Sequence, residues 1–134
     1  MEDEMITEIM IFAATVMMEA EGEPYAGKIM VAEVTANQAH TRKKTIAKTC
    51  RIPKLFSCWN GKTVRQVSQK IAKWEKQPNN QAWKDCKMIA TEVCKSKYET
   101  TTKATNYYNP AKCNPYWAKS MQICASVGNH LFLR

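Results

Sequence analysis

Glycine and proline are scarce in this chain of 134 residues, at four and five, and that scarcity excludes collagen-like, linker-like and low-complexity proteins. There is no internal repeat. No apolar run approaches the roughly 20 residues that cross a bilayer, so no transmembrane segment is expected. Met1-Glu2-Asp3-Glu4 is acidic where a secretory signal would be basic, so no export signal is visible. Histidine is confined to His40 and His130, no His-Glu-x-x-His set occurs, and the cysteines lack the short paired spacing that zinc prefers. No metal and no cofactor are expected.

What is present reads as one ordered domain over residues 1–134, with 45% hydrophobic residues and enough length to bury a substantial core. The net charge of +8 conceals a division. Residues 1–39 carry eight acidic groups against the single Lys28, a balance of −7, while residues 40–134 carry nineteen basic groups against four acidic ones, a balance of +15. A basic surface of this kind attracts polyanions, whether nucleic acid, anionic lipid or the anionic polymers of a bacterial envelope, and it also serves solubility. The charge is scattered and carries no recognition motif, so no nucleic-acid partner is expected. A basic nucleic-acid-binding protein or small ribonuclease remains the alternative of a different class.

Six cysteines, Cys50, Cys58, Cys86, Cys94, Cys113 and Cys124, are an even number and rather many for a reduced compartment. Cys86 and Cys94 fall on one helical pattern about 12 Å apart, too far to bridge each other. At least one disulfide to another segment is expected, with Cys58 and Cys86 the first pair. Free thiols acting as small core residues are the competing reading.

The hydrophobic periodicity is mostly helical. Ile6, Ile9, Met10, Ala13, Val16 and Met17 recur at the spacing of one helical face, which predicts a helix over about residues 4–19. A second helix is predicted from Pro24 to about Gln38, a polar basic segment over 40–51, and a loop over 53–61. Val64, Val67, Ile71 and Trp74 predict a third helix, and a fourth runs from about Gln81 to Lys97. Thr100 to Tyr108 is the strand candidate, Tyr116 to Ala125 reads as a short helix, and Gly128 to Phe132 as an extended end.

The first helix runs into Glu19-Ala20-Glu21-Gly22-Glu23-Pro24, where Gly22 suits a left-handed C-terminal position and Pro24 the first turn of the next helix. A carboxylic acid held where a buried helix ends loses solvation and becomes a proton donor near neutral pH, which is how a general acid for glycosidic cleavage is made. Glu19 lies closest to the buried stripe. Glu21 and Glu23 fall in the turn, where solvated carboxylates are the commoner outcome, and Glu33 on the second helix reads as an exposed or paired residue. Phe56, Trp59, Tyr107, Tyr108 and Trp117 can stack on sugar faces or simply fill the core. His130 reads as a hydrogen-bonded residue that positions the terminal strand.

Glu19 to Gly27, Phe56-Ser57-Cys58-Trp59-Asn60, Ala104 to Pro110 with Tyr107-Tyr108-Asn109-Pro110, Pro115-Tyr116-Trp117 and Gly128 to Phe132 occur in one order. Together they resemble the cell wall hydrolase family of the spore-cortex-lytic enzyme SleB, over about residues 9–134. The resemblance implies a mainly helical α+β fold, lysozyme-like or lytic transglycosylase-like, with a small β element. It also implies cleavage of the glycosidic bond between N-acetylmuramic acid and N-acetylglucosamine in peptidoglycan, mainly as a lytic transglycosylase. It carries the catalytic acid onto Glu19 and matches Glu23 to the family's second Glu; Glu23, Phe56, Ser57, Tyr107, Tyr108 and Asn109 are the expected substrate-binding residues. Thr102-Lys103 stands where the family often has glycines, and Gln38 where it often has arginine. The expected partners are peptidoglycan glycan strands and, through the basic surface, anionic envelope polymers, and the protein is expected to be a monomer. A phage endolysin is the expected origin, held in the host cytoplasm until released to the periplasm or cell wall. A hydrolytic muramidase and a wall amidase or peptidase are the alternatives within the wall-degrading class.

Overall fold

The computed structural model describes residues 2–95 and 100–134, with side chains from residue 7 onward. Five helices precede a small sheet: α1 (Glu2–Ala20), α2 (Tyr25–Arg42), α3 (Ile46–Cys50), α4 (Val64–Glu75) and α5 (Gln81–Lys95). Helix α1 is the centre of the molecule, packed against α2, α3, α4 and α5. Its residues 11–17 are all buried, so the expected single stripe is a helix covered on every side. The unbroken run Ile9 to Met18 explains this, since its one polar member, Thr15, is satisfied internally. Thr15 donates to the Ile11 carbonyl at 2.8 Å and accepts from the Trp59 indole at 2.9 Å. Ile6 lies outside the residues whose side chains are described, and so does the expected end of the fourth helix at Lys97.

Gly22 does not take the left-handed conformation expected of it; positive φ falls at Lys43, Lys54, Gly61 and Gly128 instead. The end of α1 is closed by a cation rather than by a glycine. The Lys28 ammonium, buried in the first turn of α2, donates to the Glu21 carbonyl at 3.0 Å and the Glu23 carbonyl at 2.5 Å. That places positive charge at the negative end of the α1 dipole. The basic segment over 40–51 contains α3, which the sequence pattern is too short to announce. Thr45 caps it, and Glu8 of α1 accepts from the Ile46 amide at 3.0 Å, so a carboxylate on the central helix fixes where α3 starts. Helix α4 opens with a capping box formed by Thr63 and Gln66.

The sheet holds β1 (Asn106–Tyr108), β2 (Ile123–Val127) and β3 (His130–Leu133) in the order β1-β3-β2, with both pairings antiparallel. The helix expected over Tyr116 to Ala125 is corrected: only a 3-10 turn, Tyr116–Ser120, forms before β2 begins. β-Branched Ile123 and Val127 favour the strand, and Gly128 at φ 58° closes a two-residue hairpin onto β3. The expected strand over Thr100 to Tyr108 shrinks to its last three residues for a definite reason. Asn37 of α2 donates to the Thr102 and Ala104 carbonyls at 3.1 and 2.8 Å, and Gln38 donates to the Thr105 carbonyl at 2.6 Å. Glu33, only 1% exposed, accepts from the Thr101 hydroxyl at 3.0 Å and the Thr102 amide at 3.1 Å. Side chains of α2 thus replace the neighbouring strand as partners for this stretch of backbone.

All six cysteines are free thiols. The expected Cys58–Cys86 bridge is absent because the two face different neighbours: Cys58 lies beside Glu19, and Cys86 on α5 lies near Lys28 and Asp85. Burial pushes the Cys50 and Cys86 thiols up to about 12, which marks them as inert core groups.

Candidate active site

The last turn of α1 presents Glu19 to a cleft of about 320 Å³. Phe56 and Ser57 form one wall, Asn106 and Tyr107 the other, and Trp117 stands at the rim. The Cys58 amide points at Glu19 Oε1 from 3.5 Å, at the limit of a hydrogen bond. The Tyr107 phenol is held well above its usual pKa, first by burial and then by the negative charge and accepting oxygens of Glu19. The Cys58 thiol is pushed up in the same way, by burial and then by Glu19. Both groups therefore stay protonated, and the half-buried Glu19 carboxyl group has them as neighbours. Among the described residues no three His, Cys, Asp or Glu side chains converge as a metal site.

Of the residues expected at the site, the fold brings together Glu19, Phe56, Ser57 and Tyr107. Glu23, Tyr108 and Asn109 lie outside the cleft lining. Tyr108 packs edge-on against Trp117, with ring centroids 5.9 Å apart, and so backs the rim. Asn109 makes the following turn, its side-chain oxygen accepting from the Ala111 amide at 2.9 Å. Glu23 clasps the β2–β3 hairpin: it accepts from the Asn129 amide at 2.8 Å and from the Asn129 side chain at 2.7 Å. Burial alone would raise its pKa, but those two bonds, with His130 and Lys28 nearby, outweigh burial and hold it below 4.5. His130 Nδ1 lies 3.2 Å from Glu23 Oε1, close enough to feel its charge but not aligned to donate. The His130 ring then meets Tyr107 edge-on at 5.1 Å. A continuous line of contacts therefore runs from Glu23 through His130 and Tyr107 to Glu19.

Gln38, Lys54 and Asn106 also line the cleft; Gln38 stands where the family often has arginine and Asn106 falls within the Ala104 to Pro110 motif, whereas Lys54 has no signal in the sequence. Gln38 enters because its amide holds Thr105, and Asn106 because β1 starts there. Lys54 enters because the backbone turns through φ 67° directly after Pro53.

The family model described as Cell Wall Hydrolase matches residues 22–133. The catalytic domain of the germination-specific lytic transglycosylase SleB from Bacillus anthracis has a similar structure, with a TM-score of 0.67, 22% identity, and 96% of this chain and 94% of that chain covered. The catalytic domain of the Bacillus cereus SleB protein matches with a TM-score of 0.68 and 22% identity, covering 96% of this chain and 90% of that one. No curated protein matches the sequence significantly.

Proposed function

Because this chain belongs to the cell wall hydrolase family, we propose that it cleaves the bond between N-acetylmuramic acid and N-acetylglucosamine in peptidoglycan as a lytic transglycosylase, with Glu19 as the sole proton-transfer group. The observation that carries the reading is that Glu19 is the one carboxylate among the described residues that line the cleft. Hydrolytic glycosidases use two carboxylates, one as acid and one as base or nucleophile. Here Glu23 is committed to Asn129 and Glu33 to Thr101 and Thr102, and neither lines the cleft.

One carboxylate is enough for the intramolecular reaction. Protonated Glu19 gives its proton to the glycosidic oxygen as the bond to C1 of the muramoyl sugar breaks. The resulting carboxylate takes the proton of the muramoyl 6-hydroxyl, whose oxygen closes on C1 as a 1,6-anhydro ring. Glu19 ends protonated, and no water is consumed. Tyr107 and the Cys58 amide orient the carboxyl group, Trp117 offers a ring face to the sugars, and the buried Phe56 backs the cleft wall. The neighbouring SleB domain from Bacillus anthracis is described as a lytic transglycosylase, which supports the same chemistry here.

Glu19→Gln keeps the shape but has no acidic proton, and should fold normally while losing roughly 10²- to 10⁴-fold in turnover on purified peptidoglycan. Glu21→Gln should stay active, since Glu21 is exposed in the turn. Mass spectrometry of the digest should show anhydro-muramoyl ends. Reducing ends would make the enzyme a muramidase, freed peptides would make it an amidase, and near-wild-type turnover of Glu19→Gln would remove Glu19 from the chemistry.

A further inference from the structure

A second cavity, about 760 Å³, is more spacious than the one that holds Glu19. It lies between the loop after α3 and the start of α4, and Arg51, Lys54, Lys62 and Arg65 line it with no acidic residue among them. Among the described residues the ion pairs are Lys87 with Glu75 and His130 with Glu23, so none of these four cations has an anionic partner. The N-terminus of α4 opens at the same place, Val64 and Arg65 being its first two residues, and adds the positive end of a helix dipole. Four exposed cations with no anionic partner line one hollow, and their summed field attracts an anionic occupant. Lys54 lines both this cavity and the Glu19 cleft, so the two adjoin. Its left-handed φ of 67° is a conformation a non-glycine residue rarely keeps, and it holds the shared wall in place.

We infer that this cavity is a subsite for the carboxylate groups of the stem peptide carried by the glycan strand. The inference rests on the reading of the Glu19 cleft given above. The sugars of the strand are neutral along their length, but each muramoyl unit bears a peptide through its lactyl group, and that peptide ends in free carboxylates. A strand lying in the Glu19 cleft directs such a peptide sideways, and the adjoining hollow is the cationic space of suitable size. Recognition here is by charge at a distance from the reacting bond, so it governs how strongly substrate is held rather than how fast the bond breaks.

The test uses wall material stripped of phosphate polymers, so that stem peptides are its main source of anions. One half keeps its peptides, and the other is cleared of them with an amidase. The wild-type enzyme should cleave the peptide-bearing strands with a KM about tenfold lower than the bare strands, and Lys62→Glu/Arg65→Glu should lose that advantage while keeping its turnover on bare strands. Both residues are exposed, so unchanged thermal melting is expected of the double variant, and Lys62→Gln/Arg65→Gln should show the same loss in weaker form. Equal KM values for the wild type on the two substrates, or an equal loss by the variant on both, would overturn the subsite. Failure of the wild type to cleave either would instead overturn the transglycosylase reading, and the subsite with it.

Discussion

The proton transfer proposed for Glu19 requires its carboxyl group to be held in one place, and several residues do that. Tyr107 faces it, His130 packs edge-on behind Tyr107, and Glu23 holds the hairpin that carries His130. Tyr107→Phe should keep the ring packing, lower turnover by roughly tenfold and leave KM nearly unchanged, because the lost hydroxyl touches the acid rather than the sugar. Glu23→Gln should be intermediate in activity, since an amide keeps part of the clasp to Asn129. The clasp also has a pH signature. The folded pKa of Glu23 lies below its ordinary 4.5, so its stabilising contribution is present above that value and is lost as the pH falls through the folded one. Thermal melting between roughly pH 6 and pH 3 should show a wild-type decline that Glu23→Gln flattens. At this scale the sequence was partly legible. Glu19 could be found because an apolar helix visibly ends there, and Phe56 and Ser57 through a motif. Lys54 could not be found, because its place depends on a backbone angle, and Gln38 shows in the sequence only as a departure from the family's arginine, since its hydrogen bond is tertiary.

The long helices were readable because each repeats apolar residues over three turns or more, whereas the short elements were decided by their partners. Tyr116 to Ala125 has no helical stripe strong enough to resist pairing with β3, and Thr100 to Ala104 left the sheet because Glu33 and Asn37 took its backbone groups, while Thr105 keeps its amide on β3 and gives its carbonyl to Gln38. The capping box at Thr63 and the hairpin at Gly128 rest on local chemistry, although the sequence pattern announces only an extended end from Gly128. Gly128 is also where two elements meet most closely. A Cβ there would lie 2.5 Å from Glu23 Oε1 and 2.9 Å from Pro24 Cδ, at a φ of 58° that disfavours any side chain. Gly128→Ala should therefore cost about 1–3 kcal/mol in stability, measured by denaturant unfolding, and should reduce activity by pushing the hairpin off Glu23.

The whole molecule divides its charge, with the acidic residues concentrated in the first 39 positions and a balance of +15 over the rest. Exposed charges are screened beyond about 10 Å at 0.1 M salt, so lysis of intact wall should weaken as salt rises well above that, while cleavage of short soluble fragments should change less. Measuring both over one salt series separates attraction to the envelope from chemistry in the cleft; lysis independent of salt would remove any role for the basic surface. The clasp between Glu23 and Asn129 joins positions 106 residues apart, across almost the full extent of the fold. During synthesis the acid emerges early and the strand that aligns it emerges late. A nascent chain therefore carries Glu19 with no completed cleft around it, and a chain cut ahead of Gly128 keeps Glu19 while losing the hairpin that braces the residues facing it.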